Sequence, residues 1–439
     1  GAGQNELTLD NNRALFTING VRDRLRVLLV SGEPYQGERA WRNLLKSDPA
    51  VDLVHFTILR TPQKDDFTPV RELSLIVFPM RELFEQKLKE FDLIIFDRYE
   101  SGNLITRDYF RNIAEYVKGG GALLVSVGPI FATQRSLYRT PLGAVLPAAP
   151  LGDVLETPFK PKVTDIGQRH PVTANLPQAG GPDKEPDWGR WFRLVTSRTE
   201  RGNAVLSGAE DRPLVILDRV GEGRVAQLMS DHLWLWNRGI DGGGPQPELV
   251  RRVAHWLMKE PDLEEEALRA TAVGGRIEVT RRTLANTFPQ VAMTNPGTPP
   301  NGGETRTLDL KQSAPGLGVA VVDVDKPGLY RFDDGTLRTV AAVGSPDPLE
   351  FSDVRATDAK LKPLVDATNG VLMWLTDQTD PDIRAVRPGR AAGGSDWIGV
   401  RRNEGYTVAG INQLPLLPGI LVALAFLMAI GSAWWREGR

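Results

Sequence analysis

The residues best equipped for chemistry are few. Asp231 and His232 are adjacent in Ser230-Asp231-His232-Leu233-Trp234-Leu235-Trp236 and follow an apolar run that reads as a strand. Open α/β sheets present ligand-contacting residues at such strand ends. An aspartate there can orient an imidazole, although neighbours on a strand point to opposite faces. Five of the ten tryptophans fall between Trp188 and Trp256 (Trp188, Trp191, Trp234, Trp236, Trp256), interspersed with Arg190, Arg193 and Arg238. Trp and Arg are enriched at interaction hot spots, so this cluster is a candidate binding surface for a sugar or peptide. The competing reading is that Trp234 and Trp236 share a strand face and pack.

Of the four histidines, His170 precedes Pro171 and His255 sits in a helical pattern, positions that suit packing or capping. No H-E-x-x-H pair or comparable spacing points to a metal. Cysteine is absent, which removes disulfides, thiolate nucleophiles and Cys-ligated metal centres. The runs Gly119–Gly121 and Gly242–Gly244 match neither phosphate-binding glycine motif; the first reads as a helix stop, the second as a mobile loop. No cofactor is expected.

These residues must be held by an α/β framework. Leu25–Val30, Val51–Leu59, Phe91–Asp97 and Ala122–Val127 are apolar runs of the kind buried on both faces of a parallel sheet. Between them, Ala40, Trp41, Leu44 and Leu45 mark one amphipathic helix. Arg81–Glu90 reads as a second, and Tyr109, Phe110, Ile113, Ala114 and Val117 mark a third behind an N-cap at Thr106. Pro213–Ser230 predicts a hairpin around Gly221–Gly223, and Pro247–Lys259 a closing helix. The class is α/β, flavodoxin-like with a parallel sheet, over residues 24–260.

The order FDLIIFD, a helix ending in three glycines, ALLVSVGP, RHPVTANLP and GEGRVAQLMSDHLW resembles the class I glutamine-amidotransferase-like superfamily, with its DJ-1/PfpI and trehalose-utilisation-type branches. The likeness covers a little over half of the chain. It implies a nucleophile elbow directly after the fourth strand, where Ser126 in Val125-Ser126-Val127-Gly128-Pro129 stands opposite the family's Cys. It also implies a Glu after the first strand, where Glu33 sits. Here the thiol is missing, and the next histidine is His170. A serine hydroxyl is a weak nucleophile without a base in reach, and Leu124 replaces the first glycine of a G-x-S-x-G elbow. Ser126 otherwise reads as a small residue filling a tight turn.

Beyond the acidic joint Asp262–Glu266 the period changes. Arg276–Thr280, Thr305–Leu310, Val319–Val324 and Gly328–Phe332 are short alternating runs, which predicts a small Ig-like β-sandwich over 266–345. Asn295–Glu304 reads as a loop or hairpin tip. Residues 346–408 form a mixed juxtamembrane segment, with a helix over Asp358–Asn369 and a flexible stretch at Arg387–Gly394.

Leu414–Trp435 is 22 residues without a charge, long enough as a helix to cross a hydrocarbon core. Pro415 and Pro418 suit its first turn, Trp434 and Trp435 an interface, and Arg436 and Arg439 follow at once. These arginines lie nearer than Arg401 and Arg402, which predicts an inner-membrane anchor with a cytoplasmic C-terminus and a periplasmic bulk. Residues 1–23 read as a linker or the end of a preceding β-sandwich. Leu9–Ala14 resembles the segment that leads into this module in aerotolerance-type, von Willebrand-A-associated bacterial membrane proteins. With no signal pattern at its start, the chain is expected to be the C-terminal part of a longer membrane protein.

Charge is balanced, 53 Lys and Arg against 55 Asp and Glu, which gives no electrostatic footprint for nucleic acid. Expected partners are membrane lipid and other membrane or periplasmic proteins. Function is then a membrane-anchored, non-catalytic binding or scaffold protein. The alternatives are a Ser126-dependent hydrolase or amidase, and carbohydrate binding through the Trp/Arg cluster.

Overall fold

The computed structural model describes residues 24–58, 79–102, 104–180, 184–296, 303–343, 357–374, 376, 380–387, 389–401, 409–410 and 416–439. Expectations for residues 1–23, most of the Asn295–Glu304 tip and residues 414–415 lie outside them.

The first strand, β1 (Leu25–Ser31), leads through helix α1 (Gln36–Ser47) to β2 (Val51–Thr57), which pairs beside it in parallel. The strand β3 (Leu93–Asp97), helix α2 (Arg107–Lys118) and β4 (Ala122–Ser126) repeat the unit on the other side of β1. Both β3 and β4 are buried throughout, as continuous apolar runs require when both sheet faces are covered. Ala40, Trp41 and Leu45 of α1, and Phe110, Ile113, Ala114 and Val117 of α2, supply that cover at helical spacing.

Then come β5 (Ala148–Leu155), β6 (Lys162–Val163), the short helix α3 (Asp165–Arg169), β7 (Leu194–Thr199), β8 (Asn203–Ser207), β9 (Pro213–Val220) and β10 (Gly223–Leu228). The principal sheet has the order β2-β1-β3-β4-β10-β9-β8-β6. Its first five strands are parallel, and the pairs beyond β10 are antiparallel. The sheet is therefore mixed rather than parallel, because β9 and β10 form the expected tight hairpin and a hairpin reverses direction. Gly221 takes φ +59 in that turn, and a Cβ there would meet the Lys118 carbonyl oxygen at 2.6 Å. Strands β5 and β7 pair separately. The short helix α4 (Trp234–Asn237) and the closing helix α5 (Gln246–Leu257) follow β10.

Two local expectations change. Arg81–Glu90 is not one α-helix but a π turn over Glu82–Gln86 followed by a 3-10 turn over Leu88–Glu90. Asn112 Nδ2 donates to the Phe84 carbonyl at 3.2 Å, an acceptor that a continuous α-helix gives to residue 88. Thr106 stands at the N-cap of α2, yet its side chain makes no capping bond.

The β-rich part has two four-stranded antiparallel sheets. One joins β11 (Ala267–Val273), β12 (Arg276–Arg282), β16 (Leu317–Asp323) and β15 (Lys311–Ala314); the other joins β14 (Thr305–Leu308), β13 (Val291–Thr294), β17 (Gly328–Asp333) and β18 (Arg338–Val343). Ile277 and Val279 from the first sheet share a core with Met293 and Phe332 from the second. The acidic joint fastens this part to the α/β part. Glu265 accepts from Trp256 Nε1 at 3.0 Å, pairs with Arg219, and lies 3.4 Å from His170 Nε2. Arg224 reaches Glu264 and the Trp256 carbonyl, and Arg169 Nε donates to Leu284 O at 2.8 Å.

Residues 350–439 form a separate compact unit. It holds α6 (Lys362–Thr368), shorter than the expected 358–369, and the parallel pair β19 (Asp382–Ala385) and β20 (Trp397–Val400). It ends in α7 (Gly419–Glu437), which begins after Pro418 rather than at Leu414, so that proline is the N-cap and not part of the first turn. Among the described residues α7 is the one helix long and apolar enough to cross a membrane, with mean hydropathy 1.6 and no residue buried. Its 19 residues span roughly 28 Å.

Candidate functional site at the carboxyl ends of the parallel strands

The strand order reverses at β1: the chain moves outward to β2, then returns past β1 to β3. Sheets of this kind leave a crevice at such a reversal, beyond the carboxyl ends of the strands. Ser31 ends β1, Asp97 ends β3 and Ser126 ends β4, and the pairing places Ser31 opposite Asp97 and Asp97 opposite Ser126. Residues paired across parallel strands share a face, so these side chains form a hydroxyl–carboxyl–hydroxyl row. All are at most 1 % exposed.

Asp97 Oδ1 accepts a 2.7 Å hydrogen bond from the Tyr35 hydroxyl. Ser126 Oγ lies beside the same carboxyl without reaching hydrogen-bond geometry. Burial drives the Asp97 carboxyl up to about 7, and its neighbours Tyr35, Ser126 and Arg98 offset only part of that. Burial, together with Asp97, also pushes the Tyr35 phenol up. Ser31 Oγ, Asp97 Oδ2 and Ser126 Oγ have no hydrogen-bond partner.

Arg98 follows at φ +48, an uncommon conformation for a side chain of its size. Its guanidinium lies 4.6 Å over the Tyr35 ring, pairs with Glu33, and reaches Asp231 Oδ2 at 3.2 Å. Gly32 and Gly128 make room for it: a Cβ on Gly32 would collide with the Arg98 carbonyl, and one on Gly128 would stand 3.2 Å from its side chain. Arg193 Nη1 reaches the same Asp231 oxygen at 3.1 Å, and its Nε reaches Glu156 at 3.2 Å. Asp231 is 3 % exposed and is thus a buried carboxylate held between two guanidiniums. Its other oxygen, Oδ1, has no hydrogen-bond donor, with His232 Nε2 at 3.8 Å.

His232 is fixed by its Nδ1, which accepts from the Phe192 N–H at 3.2 Å, and burial lowers its pKa below the usual imidazole value. Ser230 Oγ donates to the Arg193 carbonyl and accepts from the His232 N–H. Asp231 and His232 therefore sit just beyond β10, at the same edge as Ser126 and Glu33.

The tryptophans are placed differently. Trp188, Trp191 and Trp236 are buried, with ring centroids 5.3 Å apart for Trp188–Trp236 and 4.9 Å for Trp191–Trp236. Trp234 and Trp236 lie on α4, not on a strand face, and Trp236 Nε1 donates to the Gly189 carbonyl at 2.8 Å. Gly244 packs against the Trp236 ring, and Gly243 accepts from the Gly189 N–H at 2.6 Å, so that glycine loop is tied down. At the surface, Arg190 pairs with Asp241 at 2.7 Å and Arg238 reaches Gln36 at 2.8 Å. These rings form core, not an open aromatic surface. His170 and His255 meet Glu265 and Asp48 away from the strand ends.

Sequence reasoning passed over Ser31, Tyr35, Asp97 and Arg98. The signal for Asp97 was legible: a carboxylate closing the apolar run Phe91–Asp97 at the carboxyl end of its strand. A separate cleft of about 400 Å³, lined by Lys162, Gln168, Asn175, Lys184 and Pro315 among others, lies at the far edge of the sheet from β1.

No family model and no curated protein matches the chain. Among solved structures, it is similar to the cytoplasmic protein STM1381 from Salmonella typhimurium LT2, at 17 % identity and a TM-score of 0.41, covering 53 % of this chain and 99 % of that one. The cytoplasmic protein STM3548 from Salmonella typhimurium matches at 18 % identity and a TM-score of 0.39, with 53 % and 99 % covered. The exo-beta-1,4-mannosidase Op5Man5 from Opitutaceae bacterium strain TAV5 matches at 16 % identity and a TM-score of 0.26, over 47 % of this chain and 31 % of that one.

Proposed function

We propose that this chain is a membrane-anchored binding module on an amidotransferase-like α/β domain, with a site that binds rather than turns over its ligand. One observation carries the reading. Ser126, at the elbow position, is buried, and its hydroxyl has no imidazole or carboxylate in hydrogen-bond geometry. A serine nucleophile needs a base at roughly 2.6–3.2 Å. The neighbouring carboxyl, Asp97, is driven towards its protonated form, which weakens it as a base at neutral pH. The strand order β2-β1-β3-β4-β10 supports a flavodoxin-like assignment, and the two packed antiparallel sheets support an Ig-like one.

Helix α7 would hold the protein in the inner membrane, with Trp434, Trp435 and Arg436 at its cytoplasmic end and the bulk in the periplasm. Two measurements test placement. Ending the chain before Leu414 is expected to move it from the membrane to the soluble fraction. Because the chain has no cysteine, Lys311→Cys offers a single thiol, expected to react with an impermeant maleimide from the periplasmic side. Protection until the cells are lysed would reverse the orientation.

Activity is tested on the full chain with glutamine and simple peptide amides. Ammonia release from wild type is expected to match that of Ser126→Ala. Turnover lost in that variant would establish the hydrolase instead.

A further inference from the structure

Four buried polar atoms without hydrogen-bond partners gather at one edge of the sheet: Ser31 Oγ, Asp97 Oδ2, Ser126 Oγ and Asp231 Oδ1. They come from four segments that end side by side, β1, β3, β4 and the turn after β10. Buried polar atoms are nearly always paired, so each such atom calls for an explanation. Four together on a sheet edge that folds of this order use for ligands point to a common cause.

The chemistry of the missing partner follows from what surrounds it. Asp231 Oδ1 is a carboxylate oxygen, which asks for a hydrogen-bond donor, and so is Asp97 Oδ2 once that group is ionised; the other two are hydroxyls, which both donate and accept. A cationic donor is disfavoured, because the Arg98 and Arg193 guanidiniums already converge on Asp231 and would repel it. An anion would face Asp97, Asp231 and Glu33. The partner is therefore neutral. Three adjacent strands place Ser31 and Ser126 about 10 Å apart, longer than one carboxamide and suited to a molecule with several hydroxyls.

We infer that the edge formed by Ser31, Asp97, Ser126 and Asp231 is a binding site for an uncharged polyhydroxylated small molecule, a sugar or polyol, whose hydroxyls donate to Asp97 Oδ2 and Asp231 Oδ1. The Ser31 and Ser126 hydroxyls complete the set. Arg98, stacked on Tyr35 beside the row, pairs with the half-exposed Glu33, the contact that opens when the ligand enters. An ion pair with a half-exposed partner is weak, so this contact opens readily. The inference rests on reading this edge as a binding site; Ser126-dependent turnover would defeat that reading, whereas a lack of sugar binding defeats only the ligand class.

The full chain in detergent is titrated calorimetrically with glucose, sorbitol, glucosamine, glucuronate and propionamide. Glucose or sorbitol is expected to bind at least tenfold more tightly than the charged sugars and the amide. At pH 8, above the value of about 7 at which Asp97 ionises, Asp97→Asn replaces the acceptor Oδ2 by a donor while keeping the shape, and is expected to weaken that binding at least tenfold. The double variant Ser31→Ala/Ser126→Ala is expected to weaken it three- to tenfold, and it decides the matter if Asp97→Asn does not fold. No binding of either neutral polyol at 100 mM would overturn the inference. So would tighter binding of glucosamine, glucuronate or propionamide, or an affinity unchanged in the folded variants.

Discussion

Glu265→Ala is expected to lower stability by about 2–3 kcal/mol, the range for a buried hydrogen bond to a charged acceptor. Glu265 is buried and gathers the Trp256 indole N–H, the Arg219 guanidinium and the His170 imidazole. Its removal leaves the buried indole donor without its acceptor, and Arg219 with Glu264 alone, at the seam where β9 and α5 meet the β-rich part. For a domain of 150–250 residues each kcal/mol moves the midpoint by roughly 2–4 °C, so thermal unfolding followed by circular dichroism is expected to shift by on the order of 10 °C. An unchanged midpoint would show that the joint is not a fastening.

The same cluster sets a pH dependence. Although burial raises it, hydrogen bonds and charge from His170 and Arg219 hold Glu265 down at about 2. A carboxylate depressed in the folded state stabilises above its unfolded value, near 4.3, and loses that contribution as pH falls towards 2. His170 is also depressed, chiefly by burial. The unfolded chain therefore takes up its proton first, and stability begins to fall below about pH 6.5. With His170 neutral at pH 7, Arg219 is the charge that Glu265 matches. In Glu265→Ala the loss between pH 4.5 and 2 is expected to flatten.

Asp97→Asn is expected to act in the opposite direction and to stabilise the protein. The wild-type carboxyl ionises at about 7 when folded, against roughly 3.9 unfolded, and each unit of difference is about 1.4 kcal/mol. A group raised in this way contributes fully below its unfolded value and loses that contribution as pH rises through the folded value. Wild type therefore forfeits up to about 4 kcal/mol between pH 4 and pH 8, a loss that the amide avoids. The Tyr35 hydroxyl can still donate to the asparagine oxygen. Urea midpoints of the two proteins are expected to coincide near pH 4 and to separate by pH 8 in favour of the variant. A variant less stable at pH 8 would mean that Asp97 serves the fold. The expected outcome means that it is held there for the site, at a cost in stability, as functional residues often are.

Much of the framework was legible because it rests on periodicity. Leu25–Val30, Phe91–Asp97 and Ala122–Val127 are buried strands because nothing polar interrupts them, and the α2 stripe at Tyr109, Phe110, Ile113, Ala114 and Val117 meets the sheet as its spacing requires. Strands β11 and β13 were less visible. The inward positions of β11 are filled by Leu268 and by Ala270 and Ala272, two small side chains that give a weak alternation, and Val291–Thr294 has only four residues. In the π turn Glu82–Gln86 the Phe84 carbonyl accepts from Asn112, a side chain far along the chain, a contact that no local pattern could show.

The site was half legible. Ser126, Glu33, Asp231 and His232 do converge on one edge. Tyr35, Asp97 and Arg98 were missed because their roles arise from strand order: β1 ends at Ser31 and β3 begins at Leu93, 62 positions later, yet they pair directly. The Trp/Arg cluster misled by composition. Trp188, Trp191 and Trp236 interlock in the core, and Arg190 beside them makes a surface pair of little energetic weight, whereas Arg193 turns in to the buried Asp231.

The central claim, that the elbow serine lies in a binding site and is not an activated nucleophile, is tested most directly by a fluorophosphonate, which forms a covalent adduct only with an activated serine hydroxyl. Intact-mass measurement after prolonged exposure of the full chain is expected to show no adduct. A stoichiometric adduct that maps to Ser126 and disappears in Ser126→Ala would contradict the account.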